Sequence, residues 1–137
     1  MSKKRTTSEL TSADVEKFLK LQAQMEELLA RMAAISGKAP DQAINKFKLG
    51  MINEQLTIAN QILVGPARPF ESFEHFDEVA LPSNSDVVVV LSQYLACLEN
   101  WRSERVLWHS DHFEWHWNVS DGRSLKTNPP SNRGEKS

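Results

Sequence analysis

The stretch "TSADVEKFLKLQAQMEELLARMAAISG", residues 11–37, determines the predicted fold class because it carries the clearest helix signals in the chain. Thr11 suits the position that caps a helix, and Asp14 three residues later completes a capping box. Neither proline nor glycine interrupts the run before Gly37, which suits the left-handed residue that follows a helix. These signals predict a long first helix over residues 12–36.

Apolar residues in this helix recur at intervals of three and four, the spacing of a heptad seam. The seam is shorter than three full heptads, so two interpretations stay open. It can form one wall of an intramolecular bundle, which is the favoured interpretation, or the contact surface of a dimer. In the second case the interface residues are Leu21, Met25, Leu28 and Met32.

A second helix is predicted from Pro40 to about Val64, because proline suits a first helical turn and the "GP" at 65–66 stops the helix. The connection to the first helix is short, which favours an antiparallel helical hairpin. Two adjacent apolar rows predict contact with more than one neighbour, and the excess apolar surface predicts a homodimer. The rows are Ile44, Phe47, Met51, Ile58 and Ile62, and Leu49, Ile52, Leu56, Ala59 and Leu63.

The C-terminal half changes from helical to alternating spacing. Helical spacing predicts a third helix over 85–105, capped by "SNSD" at 83–86. Strict alternation of apolar and polar residues predicts a strand over 113–119, and the "SDG" at 120–122 predicts a turn into a return strand at 123–127. The predicted fold is therefore mainly α, a helical hairpin plus a third helix resembling a three-helix bundle, with a small C-terminal β-hairpin.

Length and composition limit the domain organisation. A chain of 137 residues predicts one domain, over 10–127, between a basic disordered N-terminus at 1–9 and a disordered tail at 128–137. No apolar run is long enough to span a bilayer, and the N-terminal residues do not resemble a secretory signal. A single cysteine, Cys97, fits a reducing compartment, so we expect a cytoplasmic protein.

The connection at 66–84 is long, acidic and aromatic, and loops of this length in small domains are often functional. Its phenylalanines recur every third residue, which is compatible with one short helix. They can act as apolar anchors while the acids steer a basic partner, or they can pack on the helices while the acids face water. The second interpretation is favoured for the phenylalanines. The predicted interface residues are Phe70, Glu71, Phe73, Glu74, Asp77 and Glu78.

The stretch "HFEWH" at 112–116 raises the possibility of a metal site. On a strand His112, Glu114 and His116 share one side, zinc accepts imidazole and carboxylate ligands, and His109 lies just upstream. The spacing matches no known zinc pattern, so the favoured interpretation is the polar face of a strand whose tryptophans are buried. We therefore expect no metal and no other cofactor.

No catalytic motif accompanies Cys97, Ser92 or Ser110, so the sequence favours a protein without enzymatic activity. It predicts a protein–protein interaction module, a small regulator, adaptor or inhibitor, that acts through apolar helix surface and the acidic aromatic loop. The alternative is a small metal-dependent enzyme that uses His109, His112, Glu114 and His116. A nucleic-acid-associated protein ranks third, because the basic cluster at 3–5 is isolated.

Overall fold

The computed structural model describes residues 9–131 and confirms the predicted fold class. Three α-helices are followed by a small antiparallel sheet, which contains three strands in the order β1-β2-β3 rather than a two-stranded hairpin. In chain order the elements are α1 (Ser12–Lys38), α2 (Lys46–Ile62), a short 3₁₀-helix (Gly65–Ala67), α3 (Asn84–Ser103), β1 (Val106–His109), β2 (Glu114–Trp117) and β3 (Lys126–Thr127).

The described residues group into two compact units. The helical unit comprises Lys20–Leu98. The terminal unit comprises the described residues up to Leu19 together with those from Glu99 onward, so it contains the whole sheet. Helices α1 and α3 each contribute residues to both units.

The predicted capping box at the start of α1 is confirmed. The backbone N–H of Asp14 donates to Oγ1 of Thr11 at 3.2 Å, and the backbone N–H of Thr11 donates to Oδ2 of Asp14 at 3.0 Å. Two helix-terminal groups that have no partner within the helix are thereby satisfied. Local sequence therefore defines this helix end.

The predicted end of α1 is wrong. Gly37 lies inside the helix, which continues to Lys38, and Gly37 does not have a left-handed backbone. The N–H of Ala39 still bonds to the carbonyl of Ile35 at 3.0 Å. The next residue, Pro40, has no N–H to donate, so it stops the helix.

Helix α2 begins at Lys46, not at Pro40 as predicted. The backbone before it pairs instead with the segment that leads into α3, where the N–H of Ile44 donates to the carbonyl of Pro82 at 2.9 Å. Asn45 then caps α2, because its side chain accepts a first-turn backbone N–H at 3.0 Å. This pairing between residues distant in sequence explains why α2 begins at Lys46 and not at Pro40.

The core of the helical unit consists of the α1 seam, one apolar row of α2 and the inner face of α3. The second predicted row of α2 is completely buried, whereas Phe47 and Met51 of the first row are exposed. Full burial of one leucine, isoleucine, valine or methionine side chain stabilises the fold by about 1.5–3 kcal/mol. The buried residues are Leu21, Met25, Met32, Ile44, Leu49, Ile52, Leu56, Ala59, Leu63, Val87, Leu91, Tyr94 and Leu98.

Aromatic side chains form the core of the terminal unit. Phe18 stacks on Trp101 with ring centroids 5.1 Å apart, and it meets Trp117 edge-on at 5.4 Å. Such pairs contribute about 0.5–1.5 kcal/mol beyond the area that they bury. Trp117 belongs to β2, so these contacts fix the sheet to the residues of α1 and α3 in this unit.

The predicted turn at 120–122 is present, with Gly122 in the left-handed region at φ 75. Its position is fixed by the start of α1, because the backbone N–H and the hydroxyl of Ser12 donate to Asp121 at 3.0 and 2.6 Å. These two hydrogen bonds lower the pKa of Asp121. The return strand pairs with β2, with Trp115 opposite Thr127, but it covers only Lys126–Thr127 of the predicted range 123–127.

Residues 128–131 are docked, although the sequence predicted that disorder begins at 128. Arg102 donates to the carbonyl oxygens of Asn128 and Pro129 at 2.9 and 2.8 Å, and Ser131 Oγ donates to Glu99 at 2.6 Å. The rest of the predicted tail and residues 1–8 of the predicted disordered N-terminus lie outside the described residues.

Candidate functional site

The acidic loop, defined as residues 70–79, has no regular secondary structure, so the short helix that its spacing allowed does not form. Its phenylalanines pack on one another. Phe73 meets Phe70 edge-on at 6.1 Å and Phe76 at 5.2 Å, and it lies 6.3 Å from the ring of Tyr94 in α3. The interpretation favoured for these residues, packing inside the domain, is therefore correct for Phe73 and Phe76.

Two asparagines of α2 hold the backbone of the acidic loop in place. Asn53 forms a reciprocal pair with Phe76: its Nδ2 donates to the Phe76 carbonyl, and its Oδ1 accepts the Phe76 N–H, both at 2.9 Å. Asn60 Nδ2 donates to the carbonyl of Glu74 at 3.0 Å. Both asparagines interrupt the apolar rows of α2, which is the sequence signal that could have identified them.

The carboxylates of the acidic loop face solvent. Glu71, Glu74 and Asp77 are exposed, and none of them forms an ion pair with another residue in the described range 9–131. Glu78 accepts a 3.3 Å hydrogen bond from Asn53. The loop therefore presents uncompensated negative charge from a fixed backbone.

The base nearest in sequence does not neutralise this charge. Arg68 is the only lysine or arginine between residues 66 and 84. Its guanidinium donates to the carbonyl oxygens of Leu63 and Asn60, both at 2.8 Å. Arg68 therefore fixes the end of α2.

Most of the α1 seam lies in the core of the helical unit. Met25 is 0% exposed, and Leu21 and Met32 are likewise buried, so these three side chains offer no surface for the predicted dimer contact. Leu28 is half-buried and lines a shallow groove with Met51 of α2. The bundle interpretation of the heptad is the correct one.

Exposed apolar surface lies instead on the first predicted row of α2, at Phe47 and Met51. It also lies at the end of the sheet beside the turn between β1 and β2, which we call the aromatic tip. Phe47 is 75% exposed and Met51 is 38% exposed. In the sheet, Trp108 packs edge-on against Phe113 at 6.4 Å and against Trp115 at 5.7 Å. This aromatic tip is a feature that the sequence analysis missed, because β1 was not predicted.

The alternation over 112–117 predicted the wrong exposure for two residues. Phe113 was assigned to the buried face, yet it is 79% exposed and has a left-handed φ of 52. His116 was assigned to the solvent face, yet it is buried. The left-handed backbone at Phe113 breaks the extended geometry that the alternation assumed, and β2 begins one residue later.

Three histidines cluster on one side of the sheet. His109 Nδ1 and His112 Nδ1 lie 3.1 Å apart, and the rings of His109 and His116 stack with centroids 4.5 Å apart. The cluster arises across two strands, because His109 of β1 pairs with Glu114 of β2. The sequence placed the residues of 112–116 along a single strand, so it gave no such geometry.

His116 is held by two protein partners. Its Nε2 lies 3.2 Å from Glu114, and its Nδ1 lies 3.1 Å from the hydroxyl of Ser124. Hydrogen bonds from His116 and then Lys126 lower the pKa of Glu114, so this carboxyl is ionised at neutral pH. Within residues 9–131 no group of three or more histidine, cysteine, aspartate or glutamate side chains is arranged to hold a metal ion.

Neither Cys97 nor Ser92, the other candidate catalytic residues discussed above, has an environment that would activate it as a nucleophile. Burial raises the pKa of the Cys97 thiol, which reduces the fraction of reactive thiolate. The hydroxyl of Ser92 donates to the carbonyl of Val88 in its own helix at 2.8 Å. None of the described helices is both long enough and apolar enough to cross a membrane. The basic cluster at 3–5 lies outside the described residues.

Comparison of this chain with protein-family models, with curated proteins and with solved structures finds no match. Function must therefore be inferred from the chemistry of its own residues. Of the sites above, the acidic loop combines exposure, charge and a fixed backbone.

Proposed function

We propose that this protein is a non-enzymatic interaction module that binds a Lys/Arg-rich segment of another protein through the acidic loop. The observation that carries the proposal is the exposure of Glu71, Glu74 and Asp77 on a backbone that Asn53 and Asn60 hold. Charge complementarity selects a basic partner, because no base in the described chain pairs with these carboxylates.

The fixed backbone favours binding because a loop that is already ordered loses little conformational entropy in the complex. The carboxylates accelerate encounter with a basic segment by long-range attraction, and salt weakens that attraction. Phe70 and Val79, both exposed at the two ends of the loop, provide apolar contacts at its margins. Such an arrangement suits a small regulator, adaptor or inhibitor, and the free thiol of Cys97 is compatible with a cytoplasmic setting.

The test uses fluorescence anisotropy with a set of labelled Lys/Arg-rich peptides and a matched set in which each base is replaced by glutamine. We expect the basic set alone to bind, with affinity that falls as salt rises. A variant with Glu71→Gln, Glu74→Gln and Asp77→Asn should lose binding. The matched control, Glu16→Gln with Glu26→Gln and Glu54→Gln, removes three exposed acids elsewhere.

Equal loss in the two triple variants would show a nonspecific effect of net charge and would refute the proposal. Absence of binding by every basic peptide would refute it as well. Asn60→Ala tests the role of the fixed backbone, because it leaves the charge of the loop unchanged. We expect it to weaken binding without altering the salt dependence.

We also propose that the protein forms a homodimer, in which the contact is formed by the exposed residues Phe47 and Met51 of α2 and not by the α1 seam. Phe47 and Met51 provide the apolar surface that usually marks such a contact. Light scattering should show a dimer that Phe47→Glu with Met51→Glu converts to a folded monomer. Val89→Glu, at an exposed position of α3, is the matched control. A wild-type protein that remains monomeric at high concentration would refute the dimer.

A further inference from the structure

The geometry points to a second site, in the terminal unit: we propose that His109 and His112 form a two-imidazole chelate for Zn²⁺ or a similar borderline divalent cation. This inference is independent of the acidic loop and of the proposed partner. The site lies at the turn between β1 and β2, residues 110–113. Its two Nδ1 atoms belong to His109, at the end of β1, and to His112, within the turn.

The separation of the two nitrogens fits a shared cation. Two nitrogens bound to one zinc at about 2.0–2.1 Å lie about 2.8–3.4 Å apart for ligand angles of roughly 90–109°. His109 Nδ1 and His112 Nδ1 are 3.1 Å apart. The same distance allows a hydrogen bond between them in the metal-free protein, so both states use one arrangement of the rings.

The turn fixes this separation before any cation arrives. The backbone N–H of His112 donates to the carbonyl of His109 at 3.2 Å, which closes the turn. The ring of His109 also stacks on His116 at 4.5 Å with an interplanar angle of 29°. A chelate that is already formed loses little entropy on binding.

His116 positions the chelate but does not complete it. Ionised Glu114 accepts the Nε2 proton of His116, and in the neutral ring Nδ1 then accepts from the hydroxyl of Ser124. Neither nitrogen retains a lone pair for a metal. Within residues 9–131 no group of three or more histidine, cysteine, aspartate or glutamate side chains is arranged around a cation, so the chelate consists of two imidazoles.

The solvent exposure of the two Nδ1 atoms and the preferences of imidazole as a ligand determine which cations the chelate can bind. His112 is exposed and His109 half-buried, so a hydrated ion reaches both Nδ1 atoms from solvent. Neutral imidazole suits Zn²⁺, Cu²⁺ and Ni²⁺, whereas Mg²⁺ prefers oxygen ligands. On binding, each Nδ1 donates its lone pair, and the histidine that carried a proton on Nδ1 moves that proton to Nε2 through solvent. Water fills the other positions of the cation.

Isothermal titration of tag-free protein with Zn²⁺ at pH 7.5 tests the site. We expect one ion per chain. His109→Gln and His112→Gln should each weaken binding by more than about tenfold, the smallest effect usual for loss of even an outer partner of a metal site. His75→Gln is the matched control, because His75 is exposed on the acidic loop and should leave the affinity unchanged.

Two measurements decide between this chelate and its alternatives. Long-range ¹H–¹⁵N spectra should show Zn²⁺ shifting the Nδ1 signals of His109 and His112 while the Nδ1 signal of His116 keeps its hydrogen-bonded value. Titration with Mg²⁺ should produce no binding. Absence of stoichiometric Zn²⁺ binding, unchanged affinity in either glutamine variant, or an equal loss in His75→Gln would overturn the proposal.

Discussion

Two polar clusters of the terminal unit, one around Arg102 and one around His109, differ in how completely the protein satisfies them. Arg102 is 6% exposed and uses all five of its N–H groups, two toward Glu99 and three toward residues 127–129. His109 Nδ1 instead faces only another imidazole, in a turn that solvent reaches.

The difference separates structural polar groups from groups that are available for binding. A buried charge with every donor satisfied contributes to stability because removal of any partner leaves unpaired groups in a medium of low dielectric constant. An exposed pair that can exchange its mutual hydrogen bond for water costs little to break. We therefore expect substitutions in the Arg102 cluster to change stability, and substitutions in the His109 cluster to change ligand binding.

The largest expected effect is that of Arg102→Ala. The substitution removes the buried partner of an ion pair and leaves half-buried Glu99 without its main donor, which costs up to about 3–5 kcal/mol, the range for a fully buried pair. Urea unfolding measures the loss. Arg31→Ala is the matched control, because Arg31 pairs with Glu27 on an exposed surface and should change stability by less than about 1 kcal/mol. Equal effects of the two substitutions would contradict the structural role of Arg102.

Truncation measures the contribution of residues 128–131. A chain that ends at Thr127 loses the two carbonyl acceptors of Arg102 and the hydroxyl of Ser131, which at about 1 kcal/mol for each hydrogen bond amounts to about 3 kcal/mol. A chain that ends at Ser131 keeps these three groups and is the control for the truncation. The melting temperatures of the three chains decide the question. No change on truncation at Thr127 would mean that docking of these residues contributes nothing.

Glu99→Gln should have a smaller effect that depends on pH. Burial alone would raise the pKa of Glu99, but hydrogen bonds from Arg102 and Ser131 outweigh burial and hold its pKa below its ordinary value of 4.5. A depressed pKa contributes stability above pH 4.5 that is lost as pH falls through the folded value. The substitution should therefore cost about 2 kcal/mol at pH 7 and progressively less below pH 4.5. A difference that stays constant down to pH 3 would show that the charge of Glu99 is irrelevant.

The features that the sequence predicted correctly depend on residues close together in the chain. The capping box of Thr11 and Asp14, the seam of α1 and the "SDG" turn at 120–122 each follow from spacings of a few residues. The mainly helical fold class follows from the same signals, because amphipathic spacing over several turns is difficult to produce by chance.

Several of the errors have a different cause, because they depend on contacts that local sequence does not reveal. The pairing of Ile44 with Pro82 delays α2, and no local signal reveals it. The strand β1 is four residues long and begins just after the predicted helix 85–105 ends, and the sequence analysis assigned its residues to no element. The docking of residues 128–131 depends on Arg102, whose five donors cannot be assigned from sequence alone.

The candidate sites show the same division. The acids of the acidic loop were identified from composition, whereas Asn53 and Asn60, which fix its backbone, were not. His109 and His112 were both candidates, but with His112 on one strand beside Glu114 and His116, and with His109 just upstream of that strand. The chelate arises from the turn between β1 and β2, and that turn is visible only once the register of His109 opposite Glu114 is known.

The smallest expected effect is that of His109→Gln and His112→Gln on stability in the absence of metal. His112 lies in the exposed turn, and His109 is the half-buried last residue of β1. Glutamine retains a polar group at either position, so each substitution should change the free energy of unfolding by less than about 0.5 kcal/mol. His116→Ala provides the contrast within the same cluster. It removes a buried ring that is bonded to Glu114 and Ser124 and stacked on His109, and should cost about 1–3 kcal/mol. Urea unfolding with a chelator present measures all three variants. If His109→Gln destabilised the protein as strongly as His116→Ala, the turn would be part of the structural core, and the division between a satisfied cluster and an available one would not hold.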